Sequence, residues 1–356
     1  MVAMSGGVDS STAAAILKEE GYDVIGISMY LYPFCEETSY SPSLRNRCCS
    51  LQAINDARRV ALKLKIPFYI SNFQKEFQEK VIDHFCQEYS RGRTPNPCII
   101  CNREIKFKLL LKKARQLGAQ YLATGHYARI EKEDSGEYVL KKGIKEKGEQ
   151  SYFLYTLTQE QLARILMILG SYSKLEVRKI AKRFGLPVAE KEASQELCFI
   201  DGDYRKFLSS RFRSLPGEIV DVSGNVLGKH QGVAFYTVGQ RRGIGAYGRP
   251  SYVVSIDPEH NRIIVGPEEE LFSQELIAKG LHFISPGKLE GDWEVVAKIR
   301  YNHTGEQAVV SPIGKGKALV RFKKPVRSAT PGQAVVFYKG DLVLGGGTIE
   351  KIVKFP

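Results

Sequence analysis

Residues 4–17 read MSGGVDSSTAAAIL, and the reading of this stretch decides the fold. It lies between the end of an apolar strand and the start of a helix. Gly6 and Gly7 let the backbone approach a ligand closely, so the amides of the turn and of the helix N-terminus point at an anion. Ser5, Ser10 and Ser11 add hydroxyl donors, and Asp9 offers a carboxylate to Mg²⁺. No lysine follows the glycines, so this is not the phosphate loop that ends in Gly-Lys-Ser/Thr. A Ser-Gly-Gly turn with a serine helix cap is common by itself; the complete string at a strand-to-helix junction is a narrower signal.

From this loop to about residue 205, strands and helices alternate. DVIGISMYLY (23–32) is a strand-like run. LQAINDARRVALKLK (51–65) spaces Ile54, Ala57, Ala61, Leu62 and Leu64 as a helix face, and IPFYI (66–70) follows as a short strand. KEFQEKVIDHFCQEY (75–89) sets Phe77, Val81, Phe85 and Tyr89 on one helical face, with Cys86 as a structural thiol. Leu109–Leu117 reads as helix, QYLATGHYA (120–128) as a strand entering a turn, and the lysine-rich stretch 141–147 as an exposed loop. Alternation of this kind predicts a parallel sheet covered by helices on both faces.

Beyond about residue 205 helices nearly vanish and turn signals recur. DVSGNVLG (221–228) is a hairpin around Gly224-Asn225, and SYVVSIDPEHNRIIVG (251–266) is a second, turning at Pro258–Asn261. In EVVAKIRY (294–301), Val295, Ala297, Ile299 and Tyr301 alternate as one face of a strand. The expected class is α/β. A Rossmann-like domain with a parallel sheet is expected over 1–205, a small β-rich domain over 206–275 and a β-barrel over 276–356.

Apolar residues at 43% and charged residues at 26% are those of an ordinary globular protein. No apolar run approaches the roughly 18 residues of a membrane span. Val2-Ala3-Met4 runs straight into a polar turn, so no secretory leader is expected. The 52 Lys and Arg against 39 Asp and Glu give a net charge of +13, which favours a polyanionic partner. The seven cysteines are Cys35, Cys48, Cys49, Cys86, Cys98, Cys101 and Cys198. An odd count without a leader points to a reducing, cytoplasmic compartment, where cysteines act as thiols, redox pairs or metal ligands. Cys48-Cys49 reads as structural or incidental.

The string SGGVDSS resembles the pyrophosphate loop of the ATP pyrophosphatases, which cleave ATP between the α and β phosphates and leave AMP on an oxygen of the substrate. No glutaminase module accompanies it, which argues against an external-amide amidotransferase. Six further stretches occur in order: GRTPNPCIICNREIKF (92–107), LATGHYAR (122–129), QSYFLYTL (150–157), SQELCFIDG (194–202), YTVGQRRGIG (236–245) and PGQAVVFYKGDLVLGGGTI (331–349). With the N-terminal loop they resemble the tRNA-specific 2-thiouridylase family (MnmA/TrmU) along essentially the whole chain. That family thiolates carbon 2 of the wobble uridine, position 34, in the lysine, glutamate and glutamine tRNAs.

The resemblance implies specific roles. Cys198 would carry a persulfide and Cys101 would be its nucleophilic partner, with a cysteine desulfurase or a sulfur-relay protein as donor. ATP with Mg²⁺ would sit on Ala3, Met4, Ser5, Gly6, Gly7, Val8, Asp9 and Ser10, with Met29 and Gly125 near the nucleoside. Asn96, Pro97 and Cys98 would meet the target base. Gly148, Glu149 and Gln150, with Arg300, Tyr301 and Gln333 on the barrel, would contact tRNA. His126 would face ATP or tRNA, or serve as an ordinary turn residue. Tyr301 reads equally as one more inward barrel residue.

The chain departs from the family pattern twice. Cys98 stands where well-known bacterial members have Asp, a suggested acid/base group, and a thiol is the weaker acid. Gly148-Glu149-Gln150 replaces Lys-Asp-Gln, with Lys147 one residue earlier as a substitute cation. The cysteine change keeps an alternative open. Cys98, Cys101 and Cys198 as three thiolates would hold a [4Fe–4S] cluster with one open iron. Zinc would lack an obvious fourth ligand. The rival activities are a small-molecule synthetase of the same superfamily and a non-catalytic tRNA-binding protein.

Overall fold

The computed structural model describes residues 1–32, 50–145, 148–192, 197–200, 202–245, 248, 250–284 and 289–353. Cys35, Cys48, Cys49 and Lys147 lie outside the described residues, as do residues 194–196 and 201 of the SQELCFIDG stretch. The chain forms two compact units. One comprises Met1–Val81, Cys98–Gly202 and Asp341–Val343; the other comprises Ile82–Pro97, Asp203–Gly340 and Leu344–Pro356.

The first unit is built on a five-stranded parallel sheet. Its strands are β1 (Val2–Ala3), β2 (Gly26–Tyr30), β3 (Phe68–Asn72), β4 (Leu122–Ala123) and β7 (Ile165–Leu166), in the order β3-β2-β1-β4-β7. Val2 sits opposite Gly26 on one side and Ala123 on the other. Helix α1 (Val8–Glu19) buries Ala13, Ala14, Ala15, Ile16 and Leu17. The small alanine face brings it close to its neighbours, and each fully buried Ile or Leu contributes about 1.5–3 kcal/mol. Helix α2 (Leu51–Leu64) is capped by Ser50, whose hydroxyl accepts from the Ala53 amide at 3.0 Å. Ile54, Ala57, Ala61 and Leu64 are buried as the spacing predicts, but Leu62 is 72% exposed. At 100° per residue Leu62 falls outside the arc that Val60 and Ala61 define. Phe77, Val81, Phe85 and Tyr89 are all buried.

The lysine-rich stretch is not simply a loop. Lys141 and Lys142 end strand β6 (Tyr138–Lys142), which pairs antiparallel with β5 (Ala128–Lys132). Lys141 is held there by Glu131 at 2.6 Å, and Lys141 also pairs with Leu342.

The second unit carries a small four-stranded sheet and a barrel. The sheet runs β10 (Tyr252–Asp257), β11 (Arg262–Gly266), β8 (Gly217–Asp221), β9 (Val226–His230). Both predicted hairpins are present as β8–β9 and β10–β11. In the first turn, Asp221 accepts from the Ser223 and Asn225 amides, both at 2.9 Å. The barrel has six strands: β12 (Phe272–Phe283), β13 (Trp293–Lys298), β14 (Glu306–Gly314), β15 (Lys317–Arg327), β16 (Ala334–Lys339) and β17 (Leu342–Val353). It runs in the order β12-β15-β14-β13-β16-β17 and closes by pairing β12 with β17. Among the described residues each of the six barrel strands is paired on both sides. Val295, Ala297 and Ile299 are buried, but β13 ends at Lys298, so half-buried Tyr301 lies in the turn beyond it and not on an inward strand face. The Rossmann-like first domain, the small β-rich domain and the terminal barrel are thus all present.

Candidate active site

The strand order places the site. β1 lies centrally and its chain turns toward β2 and β3, whereas β4 and β7 lie on its other side. A crevice forms where the order reverses, beyond the carboxyl ends of the strands. The segment leaving β1 is the SGG loop, and the segment leaving β4 is Thr124–Tyr127.

Two glycines allow these segments to converge. Gly6 has φ +70°, and a Cβ there would lie 2.0 Å from the Ala53 carbonyl oxygen. A Cβ on Gly125 would lie 2.6 Å from the Ser10 nitrogen, so the β4 loop rests against the first turn of α1. Gly7 caps α1 without any side-chain hydrogen bond. The Ser10 hydroxyl accepts from the Ser5 amide at 3.1 Å, and the Ser11 hydroxyl donates to the Gly7 carbonyl at 2.8 Å. The serines therefore brace the loop while the helix N-terminus keeps its amides for an anion.

A cavity of about 300 Å³ opens here. Ala3, Met4, Ser5, Gly7, Val8, Asp9, Ser10, Met29 and Gly125 line it, which gathers the predicted nucleotide residues except Gly6, turned against Ala53. Gln150, expected on the tRNA side, lines it too, as does His126, expected to face ATP or tRNA. So do Lys106, Lys174 and Lys191, which the sequence reading did not single out.

The lysines are already partnered. Lys174 donates to both Asp9 oxygens, at 2.5 and 2.6 Å, and the Tyr127 hydroxyl donates to Asp9 at 2.6 Å. Burial first, and then Asp9, push the Tyr127 phenol far above its ordinary pKa, so it stays a donor. Asp9, expected to offer its carboxylate to Mg²⁺, is here neutralised by an ammonium. Lys191 donates to the Gly6 carbonyl at 3.1 Å and pairs with the largely buried Asp56 at 2.7 Å. Lys174 is the first residue of helix Lys174–Arg183, which Ser173 and Glu176 close as a capping box. A cation in a first turn opposes the helix dipole, and that misplacement was the available signal for it.

His126 accepts or donates at Nδ1 with the Thr124 hydroxyl, 2.8 Å away, and its ring lies 5.7 Å from Phe107. Burial, then the Lys106 charge, hold its pKa well below the usual imidazole range, so it is neutral near pH 7. Gln150 accepts from the Tyr127 amide at 3.0 Å and its own amide donates to the Tyr127 carbonyl at 2.9 Å. The Phe153 amide donates to the Gln150 carbonyl at 3.1 Å, and Asn102 donates to the Phe153 carbonyl at 3.1 Å. This path runs from the phosphate loop to the residue beside Cys101. Cys101 begins a ten-residue π-helical stretch, Cys101–Leu110, a winding often found at functional sites.

Cys101 is buried, Cys198 half-buried and Cys98 exposed. Among the described residues no group of three or more His, Cys, Asp or Glu side chains is placed to hold a metal ion. Cys98, Cys101 and Cys198, weighed above as ligands of a [4Fe–4S] cluster, are not gathered into such a group in this structure. Glu149, expected to contact tRNA, is buried, and its carboxylate accepts from the Ser151 amide; Gly148 is exposed. In the second unit, half-buried Asn96 precedes buried Pro97. Gln333 donates to the Thr94 carbonyl at 3.0 Å, and Arg300 donates to the Arg327 carbonyl at 2.8 Å.

A parallel sheet, a switch-point crevice and an uncapped helix N-terminus define an α/β nucleotide-binding domain. Family models match the chain in three consecutive pieces. They are a tRNA methyl transferase HUP domain at residues 1–202, a tRNA methyl transferase PRC-barrel domain at 205–267 and an aminomethyltransferase beta-barrel domain at 273–349. The tRNA-specific 2-thiouridylase MnmA of Moorella thermoacetica is 54% identical over 99% of this chain and 100% of its own length. The proteins of the same name from Carboxydothermus hydrogenoformans and Geobacter metallireducens are 53% and 54% identical, over 99% and 98% of this chain and 97% and 96% of their own lengths. The chain belongs to the tRNA-specific 2-thiouridylase family.

Proposed function

We propose that this chain is the enzyme that thiolates carbon 2 of the wobble uridine, position 34, of tRNA, using ATP and a cysteine persulfide. The observation that carries the reading is the hydrogen-bonded path from Asp9 through Tyr127, Gln150 and Phe153 to Asn102, which couples the phosphate loop to the helix of Cys101. The domains would divide at 1–205, 206–275 and 276–356. The setting would be cytoplasmic. Among the described residues no helix is long and apolar enough to cross a membrane.

In the first step the uracil O2 forms a bond to the α-phosphorus of ATP as the bridging bond to the β-phosphorus breaks, and pyrophosphate leaves. Ala3 through Ser10, Met29 and Gly125 hold the nucleotide, with the α1 amides, Lys106, Lys174 and Lys191 opposing the phosphate charge. Asp9, now paired with Lys174, would be the carboxylate to hold Mg²⁺, which would supply positive charge opposite the phosphates. In the second step the Cys101 thiolate attacks Sγ of the Cys198 persulfide. The bond to the terminal sulfur breaks, sulfide departs with the electron pair and adds to carbon 2, and AMP leaves with the former O2. In a second order of events the terminal sulfur attacks carbon 2 first and Cys101 then resolves it. Both orders end in a Cys101–Cys198 disulfide that a dithiol must reduce.

Asn96, Pro97 and Cys98 would meet the target base. Gly148, Arg300, Tyr301 and Gln333 would contact the rest of the tRNA, and His126 and Gln150 would serve the nucleotide side that they line. The acceptors would be the lysine, glutamate and glutamine tRNAs, and a cysteine desulfurase or relay protein would load Cys198. The family-model descriptions speak of methyl transfer; a phosphate loop with two cysteines suits adenylation and sulfur transfer instead. Cys101→Ser is expected to abolish 2-thiouridine formation while tRNA binding and pyrophosphate release persist. Thiolation by that variant would remove Cys101 from the mechanism. Pyrophosphate release that ignores tRNA would favour a small-molecule synthetase.

A further inference from the structure

The stretch YTVGQRRGIG (236–245) has no part in the chemistry above, yet it forms a turn of the second unit that is braced by backbone and side-chain hydrogen bonds. Gly239, Gly243 and Gly245 adopt φ of +88°, +79° and +96°, values that favour glycine. The Gly239 amide donates to the Val253 carbonyl at 2.8 Å, and the Val253 amide returns a bond to Gln240 at 2.9 Å. The Gln240 side chain spans the turn, accepting from the Thr237 amide at 3.2 Å and donating to the Arg242 carbonyl at 2.8 Å. The Tyr236 hydroxyl donates to the Gly243 carbonyl at 3.2 Å, and Tyr236 and Ile244 are packed in the apolar core with Val253.

This bracing presents Arg241 and Arg242, both exposed, and neither side chain has an ion pair or hydrogen bond among the described residues. Other arginines of the same unit behave differently. Arg262 is bound to Glu218 and Arg327 to Glu268, both at 2.9 Å, and Arg321 is paired with Glu275. A third guanidinium is close, because a Cβ on Gly243 would lie 3.8 Å from Arg205 Nη1. Arg205 has a buried Nε without a hydrogen-bond partner. Adjacent exposed arginines on a mobile loop are a solvated charge run; on a turn fixed at both flanks they form a preorganised pair of forks. Such forks match phosphate oxygens in a bidentate manner and release counterions from a polyanion.

We propose that the Gln240–Gly245 turn is a phosphodiester-binding surface for tRNA, with Arg241 and Arg242 as its phosphate ligands. The inference rests on the 2-thiouridylase reading and adds to it a tRNA contact on the turn that follows Tyr236, apart from Arg300, Tyr301 and Gln333. RNA is favoured over an acidic protein because the chain as a whole carries a net charge of +13, which suits a long polyanion.

The test is tRNA binding by the full chain across a series of salt concentrations, for the wild type, R241A/R242A and R241K/R242K, with thermal unfolding and ATP binding as controls. The alanine pair is expected to weaken binding about tenfold near physiological salt and to lower the log–log salt slope by about two, one for each phosphate contact. ATP binding should not change. The lysine pair should keep the slope and recover part of the affinity. A wild type that binds no tRNA would end the 2-thiouridylase reading itself. A wild type that binds while the alanine pair matches it in affinity and slope would overturn only this inference. Normal tRNA binding by the alanine pair, with loss of binding to a sulfur-donor protein, would overturn it in favour of a protein partner.

Discussion

Two glycine-rich turns in this chain use similar parts and reach opposite electrostatic states. In the SGG loop the serine hydroxyls brace the backbone, and the nearby cations are answered within the chain: Lys174 by Asp9 and Lys191 by Asp56 and the Gly6 carbonyl. In the GQRRG turn a glutamine amide braces the backbone, and Arg241 and Arg242 have no answering group among the described residues. The difference follows from burial. Charges lining a cavity are strongly coupled and unstable without counterions, so they are held in pairs until a phosphate can exchange with the carboxylate. Charges in water need no internal partner and can wait for a polymer.

The comparison can be broken most severely at Gly6. Gly6→Ala adds a Cβ 2.0 Å from a backbone oxygen at φ +70°. It is expected to cost on the order of 3 kcal/mol in urea unfolding and to abolish ATP binding. An alanine variant of wild-type stability would mean that the close packing of the loop on α2 is dispensable.

Asp56→Ala comes next. It strands Lys191, whose side chain is 14% exposed, beside a partner site that is 9% exposed. Breaking such a pair is expected to cost about 2–4 kcal/mol, and Asp56→Asn should cost less because it retains a hydrogen-bond acceptor. Equal stability of the two variants would show that packing, and not charge, holds the site.

Lys174→Ala sharpens the contrast by acting on function more than on folding. Lys174 is about one-third exposed, so stability should change by less than about 1 kcal/mol. ATP affinity should fall at least about tenfold, the effect of losing one charge-assisted contact to phosphate. Calorimetric titration with ATP and Mg²⁺ measures it, and unchanged affinity would remove Lys174 from the phosphate site.

The smallest expected effect concerns pH. Burial lowers the pKa of His126, with help from Lys106, and likewise of His230 and His303, from the ordinary 6.5. Each stays neutral when folded, while the unfolded chain takes up a proton below pH 6.5. Stability is therefore complete above that pH and declines as pH falls toward the depressed folded values. His126→Gln should flatten the decline by at most about 1.4 kcal/mol per pH unit, read from unfolding midpoints between pH 7 and 5. A slope identical to that of the wild type would show that His126 is not buried in its neutral form.

Much of this architecture was legible in short segments. The phosphate loop, the switch from α/β to all-β near residue 205, and the turns at Gly224-Asn225 and Pro258–Asn261 are local patterns whose backbone preferences act over a few residues. What was missed is non-local. Lys174 meets Asp9 across 165 positions and Lys191 meets Asp56 across 135, so no window contains either pair. Glu149 is a local exception: it was expected to contact tRNA, yet its carboxylate is buried and accepts from the Ser151 amide two residues away. Leu62 was grouped with the core face, but 100° per residue turns it out of the arc of Ile54, Ala57, Ala61 and Leu64, and it is 72% exposed.

Sequence by itself determined the chemistry available to this protein: a backbone loop for anions, a pair of cysteines, an excess of cations and the order of three folds. These depend on residue type and near neighbours, which a linear string preserves. Only the tertiary structure decided which cations are neutralised and which are presented, because that depends on which carboxylates the strand order brings within about 3 Å and on how far water is excluded around them.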